Sequence, residues 1–206
     1  MVEFIKWLGH ASILISIGGK NIYIDPWNLI KIEPKGDLIL ITHSHYDHFS
    51  PDDINKIVKN DSTIIGPHEI LKIKTGIKKE VKPGDEVDLK WVKVKAVPAY
   101  NVNKNYHPKG NNWCGYIIEI ESKKIYIAGD TDFIPEMKTI SADIVIVPIG
   151  GTYTMNAEEA ANAVNIIKPK IAIPYHYGDI VGSEKDAKLF SSFVLNSEVK
   201  ILKVEK

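Results

Sequence analysis

The feature that most constrains this chain is the segment 37–48, which has the sequence DLILITHSHYDH. Its apolar run, residues 38–41, is short and uninterrupted, as is typical of a strand buried on both faces. The polar part that follows contains three histidines and one aspartate in six positions, in the order H-x-H-x-D-H. A polar loop that is rich in histidine by chance is the alternative, but this order is far more restrictive than a general histidine cluster.

The spacing of these side chains suits metal ions. In an extended backbone, His43 and His45 project to the same side, roughly 6–7 Å apart along the chain. Two imidazoles so placed can bind one cation at about 2.0–2.1 Å each. A turn after His45 would direct Asp47 and His48 to a second cation roughly 3.5–4 Å away, the spacing of two-metal hydrolytic sites. We therefore predict that these four residues bind one or two divalent ions.

The loop resembles that of the metallo-β-lactamase superfamily, whose metal-binding H-x-H-x-D-H also follows a strand. Three further segments are similar to its other motifs: YIDPW with Asp25, YIAGDTD with Asp130 and PYHYG with His176. The opening WLGHAS, which contains His10, and the later HYGDIVGSEKDAKLF are similar to one branch in particular. That branch contains ascorbate-6-phosphate lactonase and the phospholipase D that acts on N-acyl-phosphatidylethanolamine. Together these motifs cover residues 7–190.

The resemblance implies a fold and a set of roles. The fold is of the α/β class, a four-layer αββα sandwich forming one domain over residues 1–206, with the candidate ligands at strand ends on one edge. Asp130 would be the carboxylate that bridges two ions, and His176 a further ligand. Asp25 would hold the histidine loop through hydrogen bonds, and His10 would contact the ligands or the substrate. By themselves, Asp25 and His10 could equally be ordinary turn residues.

The segment 98–113, PAYNVNKNYHPKGNNW, departs from the family pattern. Where the superfamily has its third metal-binding histidine, this chain has Tyr100 or Asn101. His107 could fold back to fill the gap, Asn101 or a water could occupy it, or His10 could; the sequence leaves these alternatives open. We predict that the segment covers the substrate as a lid. The side chains available as contacts are Tyr100, Tyr106, Lys109 and Trp113.

The hydrophobic pattern predicts alternating strands and helices. Strands are expected at 2–8, 11–17, 22–24, 38–41, 62–66, 91–97, 114–121, 123–128, 144–149, 170–173 and 199–204. Helices are expected at 51–59, 68–74, 156–167 and 183–195, with another at 132–138 for which Asp132 is either the cap or a hydrogen-bond partner of a metal ligand. We place the end of the first strand-rich half near residue 97.

Composition excludes several classes of protein. The 206 residues carry no formal net charge and are 44% apolar, which argues against disorder and against attraction to nucleic acid or an anionic membrane. Arginine is absent, so only lysines and backbone amides could bind an anionic substrate. With one cysteine, Cys114, and no apolar run of about 20 residues, we expect a cytoplasmic protein without a membrane span. Homo-oligomer formation is left open.

We predict a metal-dependent hydrolase that attacks an ester, lactone or phosphodiester in a small molecule with a metal-activated hydroxide. Asp47 would ligate the metal and orient the water or take its proton, with His10 as a second catalytic candidate. Histidine and aspartate ligands without cysteine suit Zn, and they also accept Mn, Ni, Fe or Co. The alternatives are a nuclease-type phosphodiesterase and a metal-binding protein with weak or lost catalysis.

Overall fold

The computed structural model describes residues 2–30 and 34–205. Met1, residues 31–33 and Lys206, which belong to the predicted domain, lie outside the described residues. The chain divides into two compact units, the first made of Met1–Val81 with Lys203–Lys206 and the second of Lys82–Leu202. Each unit contains one sheet. That the two units form a single domain over residues 1–206 stays a prediction.

The first unit is built on a six-stranded sheet whose strands lie side by side in chain order. The strands are β1 (Ile5–Gly9), β2 (Ser12–Ile17), β3 (Lys20–Ile24), β4 (Leu38–Leu40), β5 (Thr63–Gly66) and β6 (Ile77–Glu80). The first three pair antiparallel, whereas β3 to β6 pair parallel. Because parallel strands end on the same edge of a sheet, the segments that follow β3 and β4 start next to each other.

Burial of β4 fixes the point from which the histidine-rich loop starts. Leu38, Ile39 and Leu40 are all 0% exposed, as their uninterrupted apolar run predicts. Ile39 belongs to an apolar cluster with Tyr23 of β3 and Ile54 of the following helix. Since such interiors are close-packed, the end of β4 has little freedom to move.

A helix follows the loop where the sequence predicts it. Ser50 is the N-cap of α1 (Pro51–Ile57), and its hydroxyl accepts a hydrogen bond from the backbone N–H of Asp53. The helix predicted at 68–74 is instead a 3₁₀ helix, His68–Lys72. His68 is exposed there and pairs with Glu80.

Asp53 connects α1 to the loop that follows β3. Its carboxylate accepts hydrogen bonds from the backbone N–H groups of Asn28, at 2.8 Å, and Leu29, at 3.1 Å. The ammonium group of Lys56 donates a third, at 2.7 Å. Burial by itself raises the pKa of Asp53, but these bonds and one from Ser50 outweigh it and hold the pKa below its ordinary value of 3.8.

Replacing Asp53 with asparagine should lower the free energy of unfolding by about 1–2 kcal/mol at pH 7. Because the pKa is lower in the folded than in the unfolded chain, this stabilisation is complete above a pH of about 4 and is lost as the pH falls through the folded-state pKa. Urea unfolding of both proteins at pH 7, 5 and 3.5 measures the difference, with the exposed Asp52→Asn as control. A difference that is independent of pH would contradict the assignment.

The second unit is built on a seven-stranded sheet whose strands also follow one another in chain order. They are β7 (Glu86–Asp88), β8 (Lys93–Pro98), β9 (Cys114–Ile120), β10 (Lys123–Ile127), β11 (Ile144–Pro148), β12 (Ile171–Tyr175) and β13 (Glu198–Val199). Strands β7 to β10 pair antiparallel, and β10 to β13 pair parallel. The predicted division near residue 97 is wrong, because β7 and β8 belong to this sheet.

Two helices of the second unit pack against each other. Asn156 and Glu159 form a capping box at the start of α2 (Ala157–Ile167), as the sequence predicts for this end. The buried side of α2 consists of small residues, which allow close packing. The second helix is α3 (Glu184–Phe193).

Two predicted elements of the sequence are wrong in extent. The strand expected at 199–204 is reduced to β13 and one isolated bridge between Trp7 and Val204. The helix expected at 132–138 is a 3₁₀ helix, Pro135–Thr139, which begins after Ile134, so Asp132 does not cap it. Over the described ranges, no helix combines the length and the apolar character that crossing a membrane requires.

Cys114 is the first residue of β9, where it is 2% exposed. Burial raises the pKa of its thiol to about 12, and the charge of Asp85 adds to the effect. Because the thiolate is the reactive form, this thiol is inert at neutral pH and serves packing, as expected.

Candidate metal centre

The histidine-rich loop leaves β4 and turns back on itself within a few residues. The carbonyl of His45 accepts hydrogen bonds from the N–H groups of His48, at 3.0 Å, and Phe49, at 2.8 Å. This turn keeps His43 and His48 on the same side, where their ring centroids are 3.9 Å apart. Both rings are buried, whereas His45 and Asp47 are partly exposed. The loop therefore presents its ligands from a rigid turn.

The first pair of candidate ligands converges on one point. Nε2 of His43 and Nδ1 of His45 are 3.1 Å apart. Two ligands of one tetrahedral zinc ion, each about 2.0–2.1 Å from the metal, are roughly 3.3 Å apart. The two nitrogens are thus at hydrogen-bond distance, which is also close to the spacing of two ligands of one cation, and the donor atoms fit a divalent metal.

Asp25 and Thr42 fix the orientation of the rings. Asp25 accepts hydrogen bonds from the backbone N–H of Thr42, at 2.8 Å, and from its hydroxyl, at 2.6 Å. Since that hydroxyl uses its only proton on Asp25, Nδ1 of His43, 2.9 Å away, must be the donor to it. Nδ1 of His48 likewise donates to Asp25 at 2.8 Å. Both rings therefore carry their proton on Nδ1, and Nε2 is the atom that can bind metal.

Asp25 is completely buried, with 0% of its surface exposed. Burial raises the pKa of Asp25 above its ordinary value of 3.8, although the charge and hydrogen bond of His48 and the hydrogen bonds of Thr42 oppose this effect. A carboxylate in such a place is retained only where its partners are fixed, because an unpaired charge costs several kcal/mol. Asp25 is thus an integral part of the histidine loop.

His10 reaches the same loop from the turn between β1 and β2. Its Nε2 is 2.9 Å from Oδ2 of Asp47, and the same oxygen is 3.9 Å from Nε2 of His48. One atom from each of these three residues lies within 4.8 Å of the others. His10 therefore contacts the carboxylate of the candidate ligand Asp47.

In the second unit, the carboxylate of Asp130 lies between two imidazoles. Nε2 of His107 is 3.3 Å from Oδ2, and Nε2 of His176 is 3.2 Å from Oδ1. Each oxygen thus has its own imidazole neighbour. Asp130 follows β10 and His176 follows β12, both at the carboxyl ends of parallel strands.

Asn101 orients His107. Its side-chain oxygen accepts hydrogen bonds from the backbone N–H and from Nδ1 of His107, both at 3.0 Å. Its amide group donates to Asp132 at 3.1 Å and to the carbonyl of Tyr153 at 2.9 Å. The sequence left open which residue takes the place of the third histidine. In the structure, His107 lies next to Asp130, and Asn101 holds His107 through hydrogen bonds.

Tyr100 and Lys109, predicted as substrate contacts, bind Glu136. The hydroxyl of Tyr100 donates to Glu136 at 2.9 Å, and the ammonium group of Lys109 donates to it at 2.8 Å. The Lys109 hydrogen bond holds the pKa of Glu136 below its ordinary value. The side chains of Tyr100, Lys109 and Glu136 therefore bind one another.

Sequence reasoning missed two contributors. Thr42 precedes the H-x-H-x-D-H motif, but only its contacts with Asp25 reveal its role. Gly150 packs on His176, because a Cβ at this position would lie 2.8 Å from the carbonyl oxygen of His176 and 3.3 Å from its Nδ1. The structure also shows a positive φ at three site residues, His10 (45°), Asp25 (45°) and His176 (59°). This backbone region is costly for residues other than glycine. No local pattern in the sequence marks Thr42 or Gly150 as part of the site.

Gly150→Ala should displace His176 and weaken zinc binding by about tenfold or more, because ligand orientation is lost. Overpacking should also lower the free energy of unfolding by about 1–3 kcal/mol. Competition with a chromogenic chelator measures the first quantity and urea unfolding the second. Gly110→Ala is the matched control, since nothing lies within 4 Å of the position that its methyl group would take. Unchanged zinc affinity in Gly150→Ala would refute the assignment.

The sequence matches that of a known family, the β-lactamase superfamily domain, over residues 4–176. The chain therefore belongs to the β-lactamase superfamily. More particularly, it is similar to the UPF0173 metal-dependent hydrolases. The relative from Methanopyrus kandleri is 33% identical, over 96% of this chain and 96% of its own length. The relative from Thermoplasma acidophilum is 35% identical, over 98% of this chain and 96% of its own length.

Solved structures agree with this assignment. A metal-dependent hydrolase from Parabacteroides distasonis superposes with a TM-score of 0.84 at 35% identity, covering 97% of this chain and 93% of its own. A metallo hydrolase from Ignicoccus hospitalis superposes with a TM-score of 0.80 at 25% identity, covering 98% and 95%. These similarities confirm the predicted α/β class and the metallo-β-lactamase fold, and they identify the chain as a metal-dependent hydrolase.

Proposed function

We propose that this metal-dependent hydrolase cleaves an ester, lactone or phosphodiester bond in a small molecule with the help of one or two zinc ions. The proposed ligands in the first unit are His43, His45, Asp47 and His48. Those in the second unit are His107, Asp130 and His176. The observation that carries the proposal is the 3.1 Å separation of Nε2 of His43 from Nδ1 of His45.

A bound divalent cation would lower the pKa of its water to about 7 and polarise the oxygen of the attacked group. The protein would contribute position and proton transfer. Asp47 would orient the attacking water and accept its proton. His10, whose Nε2 lies 2.9 Å from Oδ2 of Asp47, would hold that carboxylate in place. Asp25 and Thr42 would keep the proton of His43 and His48 on Nδ1.

The choice of metal rests on the donor set. Imidazole nitrogens and carboxylate oxygens without thiolate suit zinc, and the same set accepts Mn, Ni, Fe or Co. The imidazoles of His43 and His45 favour zinc because their 3.1 Å spacing is close to that of two ligands in its preferred tetrahedral geometry. We therefore propose zinc as the native ion, with the others as functional substitutes.

Metal stoichiometry tests the proposal. Elemental analysis of wild-type protein purified with added zinc should give one or two ions per chain, and His43→Ala and His107→Ala should each lose zinc. Asn101→Ala should retain more zinc than His107→Ala, because Asn101 is proposed to orient a ligand and not to be one. The exposed His68→Ala is the control and should bind as the wild type does. Full zinc content in His43→Ala would refute the ligand set.

Activity separates a hydrolase from a protein that only binds metal. The zinc-loaded wild type should hydrolyse 4-nitrophenyl esters or bis(4-nitrophenyl) phosphate well above the rate of metal-free protein, and His43→Ala should not. Normal zinc content without turnover of any ester, lactone or phosphodiester would favour a metal-binding protein with lost catalysis.

A further inference from the structure

The segment 101–107, which carries the candidate ligand His107, is firmly anchored. The carboxylate of Asp132 accepts hydrogen bonds from the backbone N–H of Val102, at 2.9 Å, and from the amide of Asn101, at 3.1 Å. The ammonium group of Lys104 is 2.5 Å from the same carboxylate. Asp132 is buried and Asn101 in turn holds His107. The segment is therefore a preorganised surface.

Apolar side chains project from this anchored segment. Val102 is 55% exposed and Tyr106, which directly precedes His107, is 49% exposed. The ring of Tyr106 meets the ring of Tyr153 edge to face, with centroids 4.7 Å apart. Tyr153 is itself tied to the segment, because its carbonyl accepts a hydrogen bond from Asn101. Exposed apolar groups held this rigidly in the segment that carries a candidate ligand are typical of a ligand-binding surface. We call Val102, Tyr106 and Tyr153 the apolar rim.

The lysine in this segment and the one directly after it are already paired with carboxylates. Lys104 pairs with Asp132, and Lys109 pairs with Glu136 at 2.8 Å. Beyond the proposed zinc ions, a phosphate group would be bound best by cationic or fork-shaped donors, and arginine does not occur in the sequence. An anion here would compete with these carboxylates for the ammonium groups. The charges therefore favour a neutral substrate over a phosphodiester.

We infer that the substrate is a neutral ester or lactone with an apolar chain, and that the apolar rim binds that chain. The inference rests on the proposed hydrolase function and narrows its substrate class. The bond that breaks is the acyl C–O bond: the water oxygen bonds to the carbonyl carbon, and the leaving alkoxide takes up a proton to become an alcohol. The apolar chain would be removed from water on Val102 and Tyr106 while the carbonyl reaches the ligands.

Zinc-loaded full-length protein and a series of 4-nitrophenyl esters provide the test. From acetate through butanoate to octanoate, kcat/KM should rise by about tenfold or more, since each methylene that is removed from water can contribute up to roughly fourfold. Mono(4-nitrophenyl) succinate has the same leaving group but ends in a carboxylate. Its kcat/KM should be at least about tenfold below that of the butanoate, because Lys104 and Lys109 are already paired with carboxylates.

The variants Tyr106→Ser and Val102→Ser should each reduce the octanoate-to-acetate ratio of kcat/KM by about fivefold. Leu189→Ser is the matched control, because Leu189 is 46% exposed but lies on α3, and its ratio should not change. Zinc content, measured in all variants, should be unchanged. Octanamide binding by calorimetry gives a second readout that needs no turnover, and it should weaken about fivefold in Tyr106→Ser.

A flat ester series, a preference for the succinate ester, or an unchanged ratio in both variants would overturn the inference and leave the hydrolase proposal standing. Cleavage of bis(4-nitrophenyl) phosphate without ester cleavage would do the same. Zinc-loaded protein that cleaves neither class would refute the proposed function itself, and the inference with it.

Discussion

Asp25→Ala is expected to lower the free energy of unfolding by about 3–5 kcal/mol and zinc affinity by about 10–100-fold. The carboxylate is 0% exposed and accepts three hydrogen bonds, two from Thr42 and one from His48. Its removal leaves buried donors without an acceptor, which costs more than the bonds contribute. It also frees both rings to carry their proton on Nε2, where a metal would bind.

Urea unfolding and chelator competition measure the two effects of Asp25→Ala. Asp25→Asn should lie between the alanine variant and wild type, because asparagine keeps one acceptor oxygen and also tolerates the positive φ of this position. Asp61→Ala is the control, since the Asp61 side chain is 82% exposed and should contribute little. Equal zinc affinity in wild type and Asp25→Ala would show that the carboxylate supports the fold alone.

Asp47→Ala should reduce kcat/KM for a neutral ester by about 10²–10⁴-fold, the range for a lost general base. His10→Ala should reduce it less, by roughly tenfold, because His10 acts through Asp47. Asp52→Ala, an exposed carboxylate a few residues along the chain, is the control. Steady-state kinetics at saturating zinc give these values, and zinc content separates a lost proton acceptor from a lost ligand.

The double variant distinguishes the two roles. If His10 only positions Asp47, then His10→Ala in the Asp47→Ala background should change kcat/KM by less than about twofold. Additive losses would mean that His10 acts on the substrate independently.

The sequence predicted the parts of the site that depend on local order. An apolar run followed by H-x-H-x-D-H indicates both the buried strand β4 and the loop that leaves it. Ser50 before Pro51 predicts the start of α1, because capping is decided within four residues. The family resemblance contributed the motifs that contain Asp130 and His176, which are distant in sequence from the loop.

What the sequence could not predict depends on contacts between distant segments. His107 lies against Asp130 because hydrogen bonds to Asn101 and Asp132 hold the segment 101–107 in its folded conformation. No rule based on sequence spacing predicts these contacts. The alternating pattern of β8 indicates a strand, but pairing with β9 decides which sheet it joins. The strand expected at the end of the chain shrank to β13, because apolar alternation alone does not supply a pairing partner.

The order of strand pairing has a consequence for how roles are assigned. In each sheet an antiparallel hairpin leads into parallel strands, and an aspartate follows the strand where the direction changes: Asp25 after β3 and Asp130 after β10. Equivalent places in the topology thus carry the same residue with opposite surroundings. Asp25 accepts hydrogen bonds from Thr42 and from Nδ1 of His48 in the histidine-rich loop, whereas Asp130 meets the Nε2 atoms of two histidines. The neighbouring residues, and not the place in the topology, therefore determine that Asp25 supports the histidine-rich loop and that Asp130 is a candidate ligand.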